Sequence, residues 1–179
     1  MSFTMTLPMI MYCGMYYSIP GLRDLCHAVK SRDDDALTEA AEWLSRVVDK
    51  YDLEGCSIIP IPNHSGRAEY TLEILKRLQR LRSIRICDIL VGAAHATQYD
   101  AKKAGTRLSL NDYGFELRGD IPFNRAILFD NVIGSGNTYF SAMKTIGFET
   151  SLLTLAQTHS TAYYANQWAS FNDALETIR

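Results

Sequence analysis

The fold class predicted by this 179-residue chain is α/β, one domain with a mostly parallel sheet and helices on both faces. Three observations predict it. Apolar runs of strand length at residues 56–62, 86–91, 126–129 and 151–156 carry almost no polar alternation, as strands buried on both faces do. Stretches with apolar residues at helical spacing lie between most of these runs. A loop of small residues directly follows the third run, where open α/β sheets bind ligands. The composition is 47% hydrophobic, enough for a core of the chain's own, and no repeat, low-complexity tract or linker divides residues 1–179.

Residues 9–17 form an apolar run too short to span a bilayer and preceded by no basic residue, so it predicts an added strand or hairpin rather than an anchor or export signal. Pro20-Gly21 ends it. A short helix is expected over residues 22–30. Asp33, Asp34 and Asp35 then precede Leu37, Ala40, Ala41, Leu44, Val47, Val48 and Tyr51, the stripe of an amphipathic helix. Three acids at a helix start read as a cap for its unpaired N–H groups rather than as a metal site.

Residues 56–62 predict a buried strand that runs into Asn63, His64, Ser65, Gly66 and Arg67, and then a helix marked by Thr71, Ile74, Leu75, Leu78 and Leu81. A small residue, a histidine and an arginine beside a helix start suit an anionic group, although Arg67 reads equally as a solvated charge and His64 as a plain turn residue. A third strand is expected at residues 86–91, followed by a loop at 92–97. Residues 98–120 show no sustained period, which in a compact domain implies a flexible functional flap.

Residues 126–129 predict the strand at the centre of the fold, with Asp130 at its end. Gly134, Ser135, Gly136, Asn137 and Thr138 follow, and Tyr139, Ala142, Met143 and Ile146 recur at helical spacing until Gly147 supplies a stop. Glycines let the backbone curl, its amides converge on an anion, and the helix presents its positive end, so the order makes a phosphate site. A P-loop would need a Gly-Lys-Ser/Thr ending, and no lysine stands between Gly134 and Lys144. A dinucleotide fingerprint would need a third small residue where Tyr139 stands. The last strand is expected at residues 151–156, and Tyr164, Trp168, Phe171, Leu175 and Ile178 mark a terminal helix whose stripe reads as core.

The stretch Ile127-Leu128-Phe129-Asp130-Asn131-Val132-Ile133-Gly134-Ser135-Gly136-Asn137-Thr138 resembles the phosphoribosyl-pyrophosphate (PRPP) motif of type I phosphoribosyltransferases. Asn131 stands where that motif has its second acid, and Gly134 where it has its first hydroxyl residue. The earlier strand with Pro60 and Pro62 before its loop is similar to the pyrophosphate loop of ComF-like members, and Gln98, Arg107, Asn111 and Phe115 follow a succession found in them. The resemblance covers about residues 58–157. It leaves residues 1–52 as an N-terminal addition, without the cysteine-rich zinc segment frequent in that family.

The resemblance implies a type I phosphoribosyltransferase-like fold and a transferase that moves the phosphoribosyl group of PRPP to a nitrogenous base or amine and releases pyrophosphate. Gly134, Ser135, Gly136, Asn137 and Thr138 would hold the 5′-phosphate, and Asp130 and Asn131 the ribose. Asn63, His64, Ser65, Gly66 and Arg67 would hold the pyrophosphate. Mg²⁺ would be the cofactor, carried mainly by PRPP and touched indirectly by Asp130. The alternative is a non-catalytic module of the same fold that senses PRPP or a nucleotide, since an amide at 131 adds no negative charge.

A net charge of -2, from 18 basic and 20 acidic residues, gives no electrostatic footprint for nucleic acid or an anionic membrane. Cys13, Cys26, Cys56 and Cys87 are spaced neither for a zinc ribbon nor as a disulfide framework, so reduced core thiols in a cytoplasmic protein are expected. The acceptor is left open, and so is the choice between monomer and homodimer.

Overall fold

In a computed structural model, residues 8–106, 112–122 and 125–176 are described, those at 98, 99 and 172–176 as backbone only. Five parallel strands form the main sheet: β1 (Ile10–Met15), β2 (Ser57–Pro60), β3 (Arg85–Ile86), β6 (Ala126–Ile133) and β7 (Leu152–Gln157), in the order β1-β7-β6-β2-β3. A two-stranded antiparallel sheet, β4 (Leu90–Val91) with β5 (Glu116–Leu117), stands apart from it. The helices are α1 (Leu22–Ala28), α2 (Asp34–Lys50), α3 (Tyr70–Leu81), α4 (Gln98–Lys103), α5 (Asn137–Ile146) and α6 (Thr161–Glu176), with a 3₁₀ turn at Val29–Ser31.

Connection handedness decides which face each helix covers. Parallel crossovers are right-handed, and the steps β1→β2 and β2→β3 run across the sheet in one direction while β6→β7 runs in the other. The helices α2 and α3 therefore lie on one face and α5 on the opposite one. Leu44, Val48, Ile74 and Leu78 bury that first face against Ile58, Ile127 and Phe129. Phe140, Met143, Trp168 and Phe171 bury the second against Ile59, Leu128 and Leu152. The helix α6 is held there by Trp168 and Phe171, whose rings lie 5.3 and 5.6 Å from that of Phe140. Each such aromatic pair adds about 0.5–1.5 kcal/mol beyond area burial.

Capping follows the local chemistry. Asp33 accepts a hydrogen bond from Ala36 N (2.8 Å) at the start of α2, and Gly147 (φ 87°) stops α5. The residues expected on α3 are buried except Leu81, which is 51% exposed.

The N-terminal run is the added strand expected there, an edge strand paired with β7, and residues 10–50 complete the sheet and one helical face. Two other expectations need correction. The strand expected at 86–91 is divided, because the chain leaves β2 after Ile86 and pairs again only at Leu90 with the small sheet. Within the stretch expected as a flap, 98–120, the described residues carry α4 and β5, both too short to show a period. The strand expected to end at Phe129 continues to Ile133, so Asp130 and Asn131 lie within it, paired at the level of β7. Arg107, Asn111 and Ile178 lie outside the described residues, as do the side chains of Gln98 and Leu175.

Candidate functional site

The strand order reverses direction between β2 and β6, and a crevice forms beyond the carboxyl ends of strands at such a switch point. An open cleft of about 610 Å³ lies there. Asp130, Asn131, Gly134, Gly136 and Thr138 line it from β6 and its loop, and Asn63 and His64 from the loop after β2. Ser135, Asn137, Ser65, Gly66 and Arg67 are outside that lining.

The loop 134–136 delivers the chain to α5. Gly136 adopts φ 93°, where side chains are disfavoured, and a Cβ there would sit 2.8 Å from the ring of Phe140. The N-cap residue Gly136 has no side chain to cap the helix and the first turn holds no acid, so no carboxylate of α5 itself offsets its positive end at the cleft. Ser135 Oγ accepts from Asn137 N at 3.4 Å, which spends the hydroxyl within the loop. Gly134 has no heavy atom within 4 Å of where a Cβ would stand. Behind the loop, Tyr164 Oη donates to Ile133 O (2.8 Å), which ties α6 to the end of β6.

The loop after β2 is self-contained. Asn63 Oδ1 accepts from Ser65 N (2.8 Å) and Ser65 Oγ (2.6 Å), and its Nδ2 donates to Glu69 Oε2 (2.9 Å). Asn63 therefore shapes the loop rather than reaching outward. Gly66 (φ 81°) has Gly92 against it, since a Cβ would meet Gly92 O at 2.2 Å. The Arg67 side chain is exposed outside the cleft, the arrangement of a solvated charge. His64 O accepts from His95 N (3.0 Å), which brings a second histidine, from the segment after β4, to the same wall.

Asp130 is the electrostatic centre. Burial pushes its carboxyl up to about 6, opposed by the hydrogen bond from Asn131 N (2.7 Å) and by the charge of Lys30. Burial also raises the Tyr70 phenol well above its ordinary range, and the charge of Asp130 adds to this. Asn131 is placed differently from the expectation at the ribose. Its side chain is 1% exposed, and Nδ2 donates to Cys26 O of α1 at 2.9 Å. Strand parity explains this, since residue 131 shares a face with Ile127 and Phe129, the face covered by α1, α2 and α3.

Reasoning from sequence missed Tyr16, Tyr17, Lys30, Glu69, Tyr70, His95 and Tyr113, all of which line the cleft. The Tyr16-Tyr17 pair carried a usable signal, standing directly after a strand's carboxyl end. The others reach the cleft only through tertiary folding. The hydrogen bond from Asn63 chiefly, and the Arg32 guanidinium at 3.0 Å after it, hold the Glu69 carboxyl below the usual range.

Among the described residues no group of three or more His, Cys, Asp or Glu side chains is placed to hold a metal. Of the two carboxylates that line the cleft, Glu69 is taken up by Arg32 and Asn63, which leaves Asp130 as the one that could touch a Mg²⁺ whose shell is filled by substrate phosphates and water. No protein-family model and no curated protein matches this chain.

Proposed function

We propose that the chain is a type I phosphoribosyltransferase-like, ComF-like protein that binds PRPP with Mg²⁺ and transfers the phosphoribosyl group to a nitrogenous base or amine, releasing pyrophosphate. The observation that carries this reading is the uncapped start of α5 at Gly136, directly beyond Asp130 and facing a second strand-end loop across one cleft. A helix start at one end of the cleft, His64 and His95 at the other and the carboxylate of Asp130 in its wall suit a ligand with a phosphate at each end of a sugar.

In this reading the amides of the 134–138 loop and the first turn of α5 hold the 5′-phosphate. Asp130 accepts hydrogen bonds from ribose hydroxyls, and its charge favours positive character on the sugar ring. His64 and His95 flank the pyrophosphate end, with Asn63 and Gly66 fixing the loop that carries His64. Mg²⁺ would be carried mainly by PRPP and touched indirectly by Asp130, and it would supply charge neutralisation for the departing pyrophosphate. An acceptor nitrogen forms a bond to the ribose C1 as the C1–O bond breaks. The electron pair leaves with pyrophosphate, and the acceptor's proton passes to water. Positioning and charge stabilisation are the protein's contributions.

Asn131 favours a second reading, a PRPP or nucleotide sensor of the same fold. Its amide is committed to Cys26 O, so one carboxylate stands where the motif has two. Calorimetry with PRPP, with and without Mg²⁺, tests both readings, and pyrophosphate release with added bases separates them. Metal-dependent binding with release is the expected result. Binding without release selects the sensor, and no PRPP binding overturns both.

A further inference from the structure

The cleft has a third side that the PRPP assignment leaves unused. The 5′-phosphate end lies toward α5, on one face of the sheet, and the pyrophosphate end at the loop after β2. Tyr16, Tyr17 and Lys30 line the remaining side, all from the N-terminal segment that packs on the other face. That segment is anchored over β6 by Asn131 Nδ2 on Cys26 O and to the end of β7 by Tyr16 N on Gln157 O (2.9 Å).

Its chemistry is specific. Tyr17 is 74% exposed, and its ring meets that of Tyr16 edge-on at 4.8 Å with planes at 87°. Tyr16 is held by a hydrogen bond between its Oη and His27 Nε2 (3.0 Å). An exposed tyrosine braced by a fixed one offers a ring surface for stacking at small cost in side-chain freedom. Lys30 makes no ion pair among the described residues, and the cleft's Glu69 is engaged by Arg32 instead. Its ammonium lines the same side of the cleft as the aromatic pair, within reach of the field of Asp130.

We propose that this side is the acceptor subsite and that it selects a planar aromatic ring carrying an anionic group, the ring lying against Tyr17 and the anion meeting Lys30. The inference rests on the phosphoribosyl-transfer reading and names its acceptor class. A ring against Tyr17 gains apolar and stacking contact, and a carboxylate at Lys30 gains a charge-assisted contact that a neutral substituent lacks.

The test is calorimetry on the full chain with PRPP and Mg²⁺ first, then with benzoate, benzamide and cyclohexanecarboxylate as probes. Benzoate is expected to bind at least about tenfold tighter than either other probe, a factor that corresponds to one such contact. Tyr17→Ala should weaken benzoate and benzamide alike while leaving PRPP affinity unchanged. Lys30→Gln should erase the preference for benzoate over benzamide. Equal binding of the three probes, displacement of benzoate by PRPP, or no effect of Tyr17→Ala overturns the assignment. If PRPP does not bind but the benzoate pattern and its loss in both variants hold, the transfer reading fails and the aromatic anion site stands. If PRPP binds and benzoate does not, this inference alone fails.

Discussion

Replacing Asp130 by asparagine should stabilise the protein above pH 6 and weaken its ligand. In the unfolded chain this carboxyl loses its proton near 3.8, whereas burial in the cleft wall pushes it up to about 6. Between those values the folded state binds more protons than the unfolded state, so stability falls as pH rises and the penalty is constant above the upper value. The span of 6 − 3.8 = 2.2 units corresponds to an upper bound of about 3 kcal/mol at 1.36 kcal/mol per unit. Water in the open cleft screens part of it, so a difference of roughly 1–3 kcal/mol is expected. Asn keeps an oxygen to accept from Asn131 N, so the local backbone is undisturbed. Urea unfolding from pH 4 to 8 measures the effect. The parent should lose stability across pH 4–7 and Asp130→Asn should not, with the two converging near pH 4 and a midpoint gap of about 1 M urea at pH 8. Parallel profiles would refute the claim that this carboxylate is held desolvated. Because Lys30 opposes the shift, Lys30→Gln should deepen the loss.

Gly136→Ala places a Cβ against the Phe140 ring in a left-handed backbone, so it should cost about 1–3 kcal/mol and abolish phosphate binding, read by thermal shift and by calorimetry with inorganic phosphate. Gly134→Thr adds the hydroxyl that the resembled motif carries at a position with no atom within 4 Å, so it should change stability by less than about 0.5 kcal/mol and tighten phosphate binding about tenfold. Asn131→Asp sets a carboxylate against Cys26 O in a site only 1% exposed, so it should destabilise by roughly 2–4 kcal/mol at pH 8 and less at pH 5, where a protonated acid can donate in the amide's place. Pyrophosphate release by that variant, measured beside its stability, shows whether position 131 has access to the ribose.

What was legible in the sequence was what local chemistry decides. Asp33 as a cap, Gly147 as a stop and the stripe of α2 depend on neighbours within a few residues, and each stands where expected. The small-residue loop before α5 was legible for the same reason, because a glycine at φ 93° before a helix is a local requirement. The division of residues 86–91 was not, since Arg85 and Ile86 find β2 and Leu90 finds Leu117 only in the folded chain. Lys30, Glu69 and Tyr70 were missed because they come from separate elements, the 3₁₀ turn and the start of α3, and line one cleft only in the folded chain.

The departure at Asn131 and the N-terminal segment are one feature. Residue 131 faces α1, and the atom it meets is a backbone carbonyl, which requires a donor. The acid that the resembled motif carries would meet that carbonyl without a donor when ionised, and would weaken the docking of α1 across the sheet. With α1 undocked, the turn that bears Lys30 and the strand end that bears Tyr16 and Tyr17 would lose a link holding them over the cleft. In the proposed reading the amide therefore gives up a charge at the sugar, while its bond to Cys26 O helps to hold a third wall of the cleft. A protein organised this way should depend on residues 10–31 for acceptor choice more than for PRPP affinity, a separation that the Tyr17→Ala titrations read directly.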